Sequence, residues 1–148
     1  MSDMAFGPEL ILLLDGVKDY QMAESDLANR LVKLAYPQAI AEREIVYPTG
    51  LDVGGINAAM PHCDISNVNR AAICVGVLKN PVEWRRMDDQ DATCKVSFVI
   101  MLALKEAHAH LDMLQKVVAL IQDQGLMTKI VAAANTNEVY QLVGERLA

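Results

Sequence analysis

Apolar residues follow two rhythms along this chain. Leu10 to Leu14 is an unbroken apolar run closed by Asp15 and Gly16, which predicts a buried strand and a turn. Leu27, Leu31 and Leu34 recur at i, i+4 and i+7 and predict a helix from about Gln21 to Ala35. Pro37 suits the first turn of a second, shorter helix, where its missing N–H costs nothing. That helix carries Ala39, Ile40, Arg43 and Glu44, and Pro48 forbids its continuation. Residues 50–55 predict a flexible glycine-rich loop, and Ile56 to Met60 a short strand. Ala71 to Leu78 and Lys95 to Leu104 predict two more strands. The second is almost wholly apolar, as a central strand covered on both faces would be. Between them, Lys79 to Asp91 reads as a polar connection holding the only tryptophan, Trp84. After Leu104 the period lengthens. Leu111, Leu114, Val117, Val118 and Ile121 line one face of a helix that Gly125 is expected to end. A short helix follows over Met127 to Ala134. Asn135 and Glu138 have the spacing of a capping box and open a last helix with Val139, Leu142 and Val143. The predicted order is one strand, two helices, three strands, three helices. It implies a single α/β domain over residues 1–148, with a mixed sheet of about four to five strands and helices on both faces.

Composition narrows the function. At 53% hydrophobic residues, the 148-residue chain can build a sizeable core. A net charge of −6 with scattered Lys and Arg argues against nucleic acid and against an anionic membrane surface. Val96 to Leu104, the longest apolar stretch, is far short of the ~20 residues of a spanning helix, and the N-terminus carries no targeting pattern. The three cysteines, Cys63, Cys74 and Cys94, lack a C-x-x-C spacing, which suggests reduced thiols in a cytoplasmic protein. Cys74 and Cys94 read as small buried hydrophobes within strands.

The chemistry centres on His62. It follows Met60 and Pro61 at the end of the predicted strand, with Thr49, Gly50, Gly54 and Gly55 upstream. A cysteine–histidine pair with Cys63 is disfavoured, because neighbours on a strand point to opposite faces. A metal site of His62, Cys63, Asp64, His108 and His110 lacks any established ligand spacing. Phosphoryl transfer through the imidazole needs only a neutral ring nitrogen, in-line positioning and donors for three phosphoryl oxygens. Glycine N–H groups, the Thr49 hydroxyl, the Arg43 cation and a second histidine could supply those donors. An ordinary strand-end histidine, with glycines serving tight turns, is the bland alternative.

The succession Arg43-Glu44, Thr49-Gly50, Gly54-Gly55 and Met60-Pro61-His62 resembles the signature of the enzyme IIA proteins of the bacterial sugar phosphotransferase system, fructose/mannitol class. The segment from Glu106 to Leu114, with His110 followed by leucine, resembles that family's second histidine motif. Cys63 after His62, and Tyr47 to Gly50, look most like the galactitol-type subgroup. The resemblance covers nearly the whole chain and implies the phosphotransferase/anion transport protein-like fold. It implies that His62 accepts a phosphoryl group from the histidine-containing phosphocarrier protein. It implies further that His62 passes the group to a cysteine of enzyme IIB, which serves the membrane enzyme IIC. His110 would be the helper histidine, with Thr49 and Arg43 in support and no metal or organic cofactor. The family also contains regulatory members, so a binding module switched by phosphorylation of His62 is the alternative. An apolar collar that includes Met60 is expected around His62 as a docking surface.

Overall fold

Two long strands frame the domain. In this computed structural model, which describes residues 5–31, 37–62, 71–103 and 107–147 (without the side chains of 37 and 107–110), β4 (Ala72–Arg85) and β5 (Thr93–Ala103) form an antiparallel hairpin. Their register runs from Ala72 opposite Ala103 to Arg85 opposite Thr93, with one irregularity between Val77 and Val82. Much of the expected polar connection is therefore strand. Its polarity hides a period of two: Val82 and Trp84 are buried while Glu83 between them is exposed. Trp84, expected in a polar connection, is a core residue.

β1 (Ile11–Leu14) pairs parallel with β4 on one side of the hairpin. On the other side, β3 (Asn57–Ala59) runs parallel to β5, and β2 (Gly50–Leu51) closes the edge antiparallel to β3. The order is β1-β4-β5-β3-β2, a five-stranded mixed sheet. Gly50 and Leu51 are thus strand rather than loop, a pairing too short to leave any alternation in the sequence. Gly50 is required there for space. A Cβ on it would lie 2.6 Å from the carbonyl oxygen of Arg85.

Helices cover both faces. α1 (Tyr20–Arg30) and α2 (Pro37–Val46) pack on one, burying Ala23, Leu27, Leu31 and Ile40 against Cys74, Trp84 and Val99. α3 (Ala107–Gln122), α4 (Gln124–Val131) and α5 (Thr136–Leu147) cover the other with Val117, Leu120, Ile130 and Val143 against Val75, Phe98 and Ile100. Asp19 caps α1 by accepting from the Met22 N–H at 2.9 Å. The expected extension of α1 to Ala35, with Leu34, lies outside the described residues. Gly125 does not end α3. Asp123 breaks the chain instead, capping α4 through the Leu126 N–H at 3.1 Å, and Gly125 falls in α4's first turn. The capping box at α5 is present: Glu138 N–H donates to Asn135 Oδ1 at 2.9 Å, and Glu138 Oε2 accepts from Ala134 N–H at 3.0 Å. Among the described residues, no helix is long and apolar enough to cross a membrane.

Candidate functional site

His62 stands just beyond the carboxyl end of β3. The strand's parallel pairing with β5 continues past it: Pro61 O accepts from Leu102 N–H at 3.0 Å, and His62 bridges Leu102. Met60 and Pro61 are buried, so the chain emerges with the imidazole half-buried at the rim. Carboxyl ends of parallel strands are where α/β sheets present their sites. Nδ1 of His62 lies 2.9 Å from the carbonyl oxygen of its own Met60. A carbonyl only accepts, so Nδ1 carries the hydrogen, and in the neutral ring the in-plane lone pair is on Nε2.

The backbone that holds this carbonyl is itself anchored. Met60 N–H donates to Thr49 O at 3.2 Å, just ahead of the β2–β3 pairing. Thr49 is buried and bound twice by one carboxylate: its N–H donates to Glu44 Oε2 at 2.7 Å and its hydroxyl to Glu44 Oε1 at 2.6 Å. Trp84 Nε1–H reaches Glu44 Oε2 from β4 at 3.1 Å. Behind Glu44 lies Glu24 of α1, 4% exposed and hydrogen-bonded to it. Burial, with the neighbouring Glu44 charge and the bond to it, pushes the Glu24 carboxyl up to about 9. Burial raises Glu44 too, and it stays raised although the Thr49 and Trp84 donors lower it. Three donors converge on Glu44 while, among the described residues, none reaches Glu24 Oε2, so the geometry places the shared proton on Glu24.

This arrangement revises two expectations about the site. The Thr49 hydroxyl is committed to Glu44 and supports the site from behind rather than facing a phosphoryl group. The glycine-rich turn is no open cradle either. Val53 N–H donates to Asn57 Oδ1, Gly54 N–H to Asp52 Oδ1 and Ile56 N–H to Gln124 Oε1. Gly54, at φ +80°, makes the turn, and a Cβ on Gly55 would strike Gln124. Arg43 lies half-buried with its guanidinium 5.1 Å from the centre of the exposed Tyr47 ring. His110 falls in the first turn of α3, and α3 begins four residues after β5 ends, so the helix start lies within about 14 Å of that strand end. The side chains of His108 and His110, and the whole of Cys63, lie outside the described residues. Cys74 and Cys94 are buried in β4 and β5, and burial pushes the Cys74 thiol up to about 12.

A half-buried imidazole with a fixed tautomer, held on a strand end by a buried carboxylate, is a nucleophile's setting. Residues 20–145 match the family model of the phosphoenolpyruvate-dependent sugar phosphotransferase system, EIIA 2. The chain belongs to this family. It is an EIIA-type phosphocarrier domain of sugar transport, a phosphotransferase. The galactitol-specific EIIA component of Escherichia coli K12 is 28% identical over 110 residues, 74% of this chain and 73% of that protein. The crystal structure of IIA mannitol from Escherichia coli superposes with a TM-score of 0.76 at 20% identity, covering 94% of this chain and 99% of that one. The mannitol IIA in its complex with phosphorylated IIB, also from Escherichia coli, gives a TM-score of 0.76 at 19% identity over 96% and 99% of the two chains. At these identities the structural likeness establishes the fold alone.

Within the EIIA frame, Glu24 and Trp84 are the site's supports that sequence reasoning passed over, and Glu44 had been noted without a role. A signal existed for both carboxylates. Glu24 sits at i, i+3, i+7 with Leu27 and Leu31, and Glu44 is four residues after buried Ile40, so each acid occupies a core position of its helix.

Proposed function

We propose that His62 is the phosphoryl acceptor of this EIIA protein and that Nε2 is the attacking atom. The observation that carries this reading is the hydrogen bond from Nδ1 to the Met60 carbonyl oxygen, which assigns the ring's lone pair to Nε2. The donor is the histidine-containing phosphocarrier protein. As its phosphorus–nitrogen bond breaks, the phosphorus–Nε2 bond forms, and the His62 ring gains positive character that the Nδ1–H···O bond holds in place. In the second step the phosphorus–Nε2 bond breaks and a cysteine thiolate of enzyme IIB takes the group, delivering it to sugar at the membrane enzyme IIC. No metal or organic cofactor takes part. His110, from the start of α3, flanks the phosphoryl group with Arg43 as a nearby cation, and the helix N-terminus favours the anion. The galactitol-specific relative supports galactitol as the sugar, and the work is done in the cytoplasm.

Both partners must reach one imidazole, so they share one surface. Exposed Ile45, Val46 and Tyr47 end α2 just before Thr49, Met87 hangs from Gly50 by its N–H, and Leu111 follows His110. These residues form the apolar collar; Met60, expected in it, is buried instead. The test is intact mass after incubation with phosphoenolpyruvate, enzyme I and the phosphocarrier. An acid-labile phosphoryl adduct is expected, lost in His62→Ala and discharged by IIB of the galactitol system. No adduct, or one that survives His62→Ala, overturns the reading. An adduct that IIB leaves in place assigns the chain a regulatory role.

A further inference from the structure

Two buried carboxyl groups of this domain belong to no step of phosphoryl transfer. Glu24 and Glu44 bring two carboxyl groups together between α1, α2 and β4, both almost wholly buried. No donor among the described residues reaches Glu24 Oε2, although that atom is buried. An ionised carboxyl would not leave an oxygen so bare; a protonated one can, and can donate the bond it makes to Glu44. Glu44 has the opposite surroundings, with the N–H and hydroxyl of Thr49 and the indole N–H of Trp84 all directed at it. From Glu44 a path runs to the imidazole through hydrogen bonds joined by the backbone of Thr49 and Met60: Thr49 O accepts from Met60 N–H, and Met60 O accepts from His62 Nδ1–H.

We propose that Glu24 and Glu44 share a single proton and act together as positioning residues for His62, holding its tautomer and place through Thr49 and Met60. This rests on the reading of His62 as the phosphoryl acceptor. Neither carboxyl touches the reacting atoms. The pair fixes Thr49, which lies two hydrogen bonds back from the ring, and a catalytic group is sensitive to displacements on the scale of 1 Å. Among the described residues, Glu44 is the one charged group that perturbs Glu24. Glu24 lines a hollow of about 280 Å³ together with Tyr20, Gln21 and Ser25 of α1 and Gln38 of α2, none of these four a carboxylic acid or a base of the Lys or Arg kind. Trp84 faces the pair from β4, and Arg43 of α2 stacks on Tyr47. The arrangement therefore tolerates one negative charge and not two. Loss of the Glu24 proton would put two carboxylates side by side, push α1 from α2 and release Thr49.

The test uses nitrogen-15 NMR of the His62 ring in the unphosphorylated full chain, read through its carbon-bound protons, beside the rate of adduct formation. Wild type should show the Nδ1–H form. Glu44→Gln offers one acceptor oxygen and a competing amide to three donors, so it should give mixed tautomers and transfer slower by about tenfold or more. Glu24→Ala should behave similarly, and Glu24→Gln, which keeps a neutral donor to Glu44, should restore the tautomer. Raising the pH through about 9 should blur the wild-type tautomer and leave that of Glu24→Gln unchanged. Should Glu44→Gln fail to fold, Thr49→Val removes one of the two bonds to Glu44 and is expected to shift the tautomer in the same direction. An unaltered tautomer and rate in the Glu44 or Thr49 variant overturns the positioning role. An alkaline change that persists in Glu24→Gln overturns the shared proton. A wild type that takes no phosphoryl group defeats the reading of His62 instead, and the tautomer measurement still decides the role of the pair.

Discussion

At the scale of single residues, the site is a problem of which atom carries the hydrogen. A strand-end imidazole has two candidate nucleophiles, and one carbonyl oxygen, that of Met60, chooses between them. The same question governs Glu24. Its carboxyl titrates at about 9 in the folded chain against 4.5 in a solvated one. The native state thus binds a proton that the unfolded chain gives up across that interval. The stabilising contribution is complete below the unfolded value and is lost as the pH rises through the folded one. Glu24→Gln cannot titrate there. Its advantage over wild type in urea unfolding should widen from pH 5 to pH 9, by at most about 1.4 kcal/mol per pH unit. A gap of constant width would show that Glu24 is ionised in the native protein. His62 was legible in the sequence, because a histidine after proline beside glycines and a threonine stands out. The importance of Glu24 was not, although it interrupts a leucine face, because a partner 20 residues away decides whether a buried acid is an anion or a donor.

Among the elements, those with strong local signals appear where the periodicity placed them. α2 starts at Pro37 and stops before Pro48, and α5 opens on its capping box. The cap is worth testing in isolation from the site. Asn135→Ala removes the acceptor for the Glu138 N–H and should cost about 1 kcal/mol, lowering the melting temperature by roughly 2–4 °C with phosphoryl uptake intact. No change in melting would show that the Asn135 side chain contributes nothing to helix stability. The elements that escaped the sequence share a physical cause. β2 is two residues long and β3 three, so their existence rests on hydrogen bonds to other strands rather than on any pattern of their own. The far half of β4 looks polar because one of its faces meets solvent. α3 ends at Asp123 because that side chain accepts from the next helix's N–H groups, which outweighs the expectation attached to Gly125.

For the whole molecule, the sheet order decides what can meet. The parallel pairing of β3 with β5 sets His62 beside Leu102 and brings the start of α3 near it. The end of α2 and the β2–β3 edge supply the other side. Val46 and Leu111, 65 positions apart in sequence, are both exposed apolar residues, and the proposed docking surface uses both. Replacing both with serine should raise the phosphocarrier concentration needed for half-maximal transfer by about tenfold, equivalent to roughly 1.4 kcal/mol, with little effect on melting. An unchanged concentration dependence would place the docking surface elsewhere on the domain.

Sequence by itself determined the class of fold, most of the helices, β5 and the first half of β4, and it singled out Met60-Pro61-His62 as the place of the proposed phosphoryl acceptor. Those features are local: periodicity, proline, glycine and capping chemistry act within a few residues of where they are written. Tertiary structure alone decided what Thr49, Glu44, Trp84 and Glu24 are bonded to. Thr49 turned from a phosphoryl contact into a buried tether, the glycines from a cradle into a tight turn, and Trp84 from a loop residue into a donor on Glu44. Each of those roles depends on hydrogen bonds between segments distant in sequence. The protonation of a buried acid likewise depends on everything packed around it, which no local pattern records.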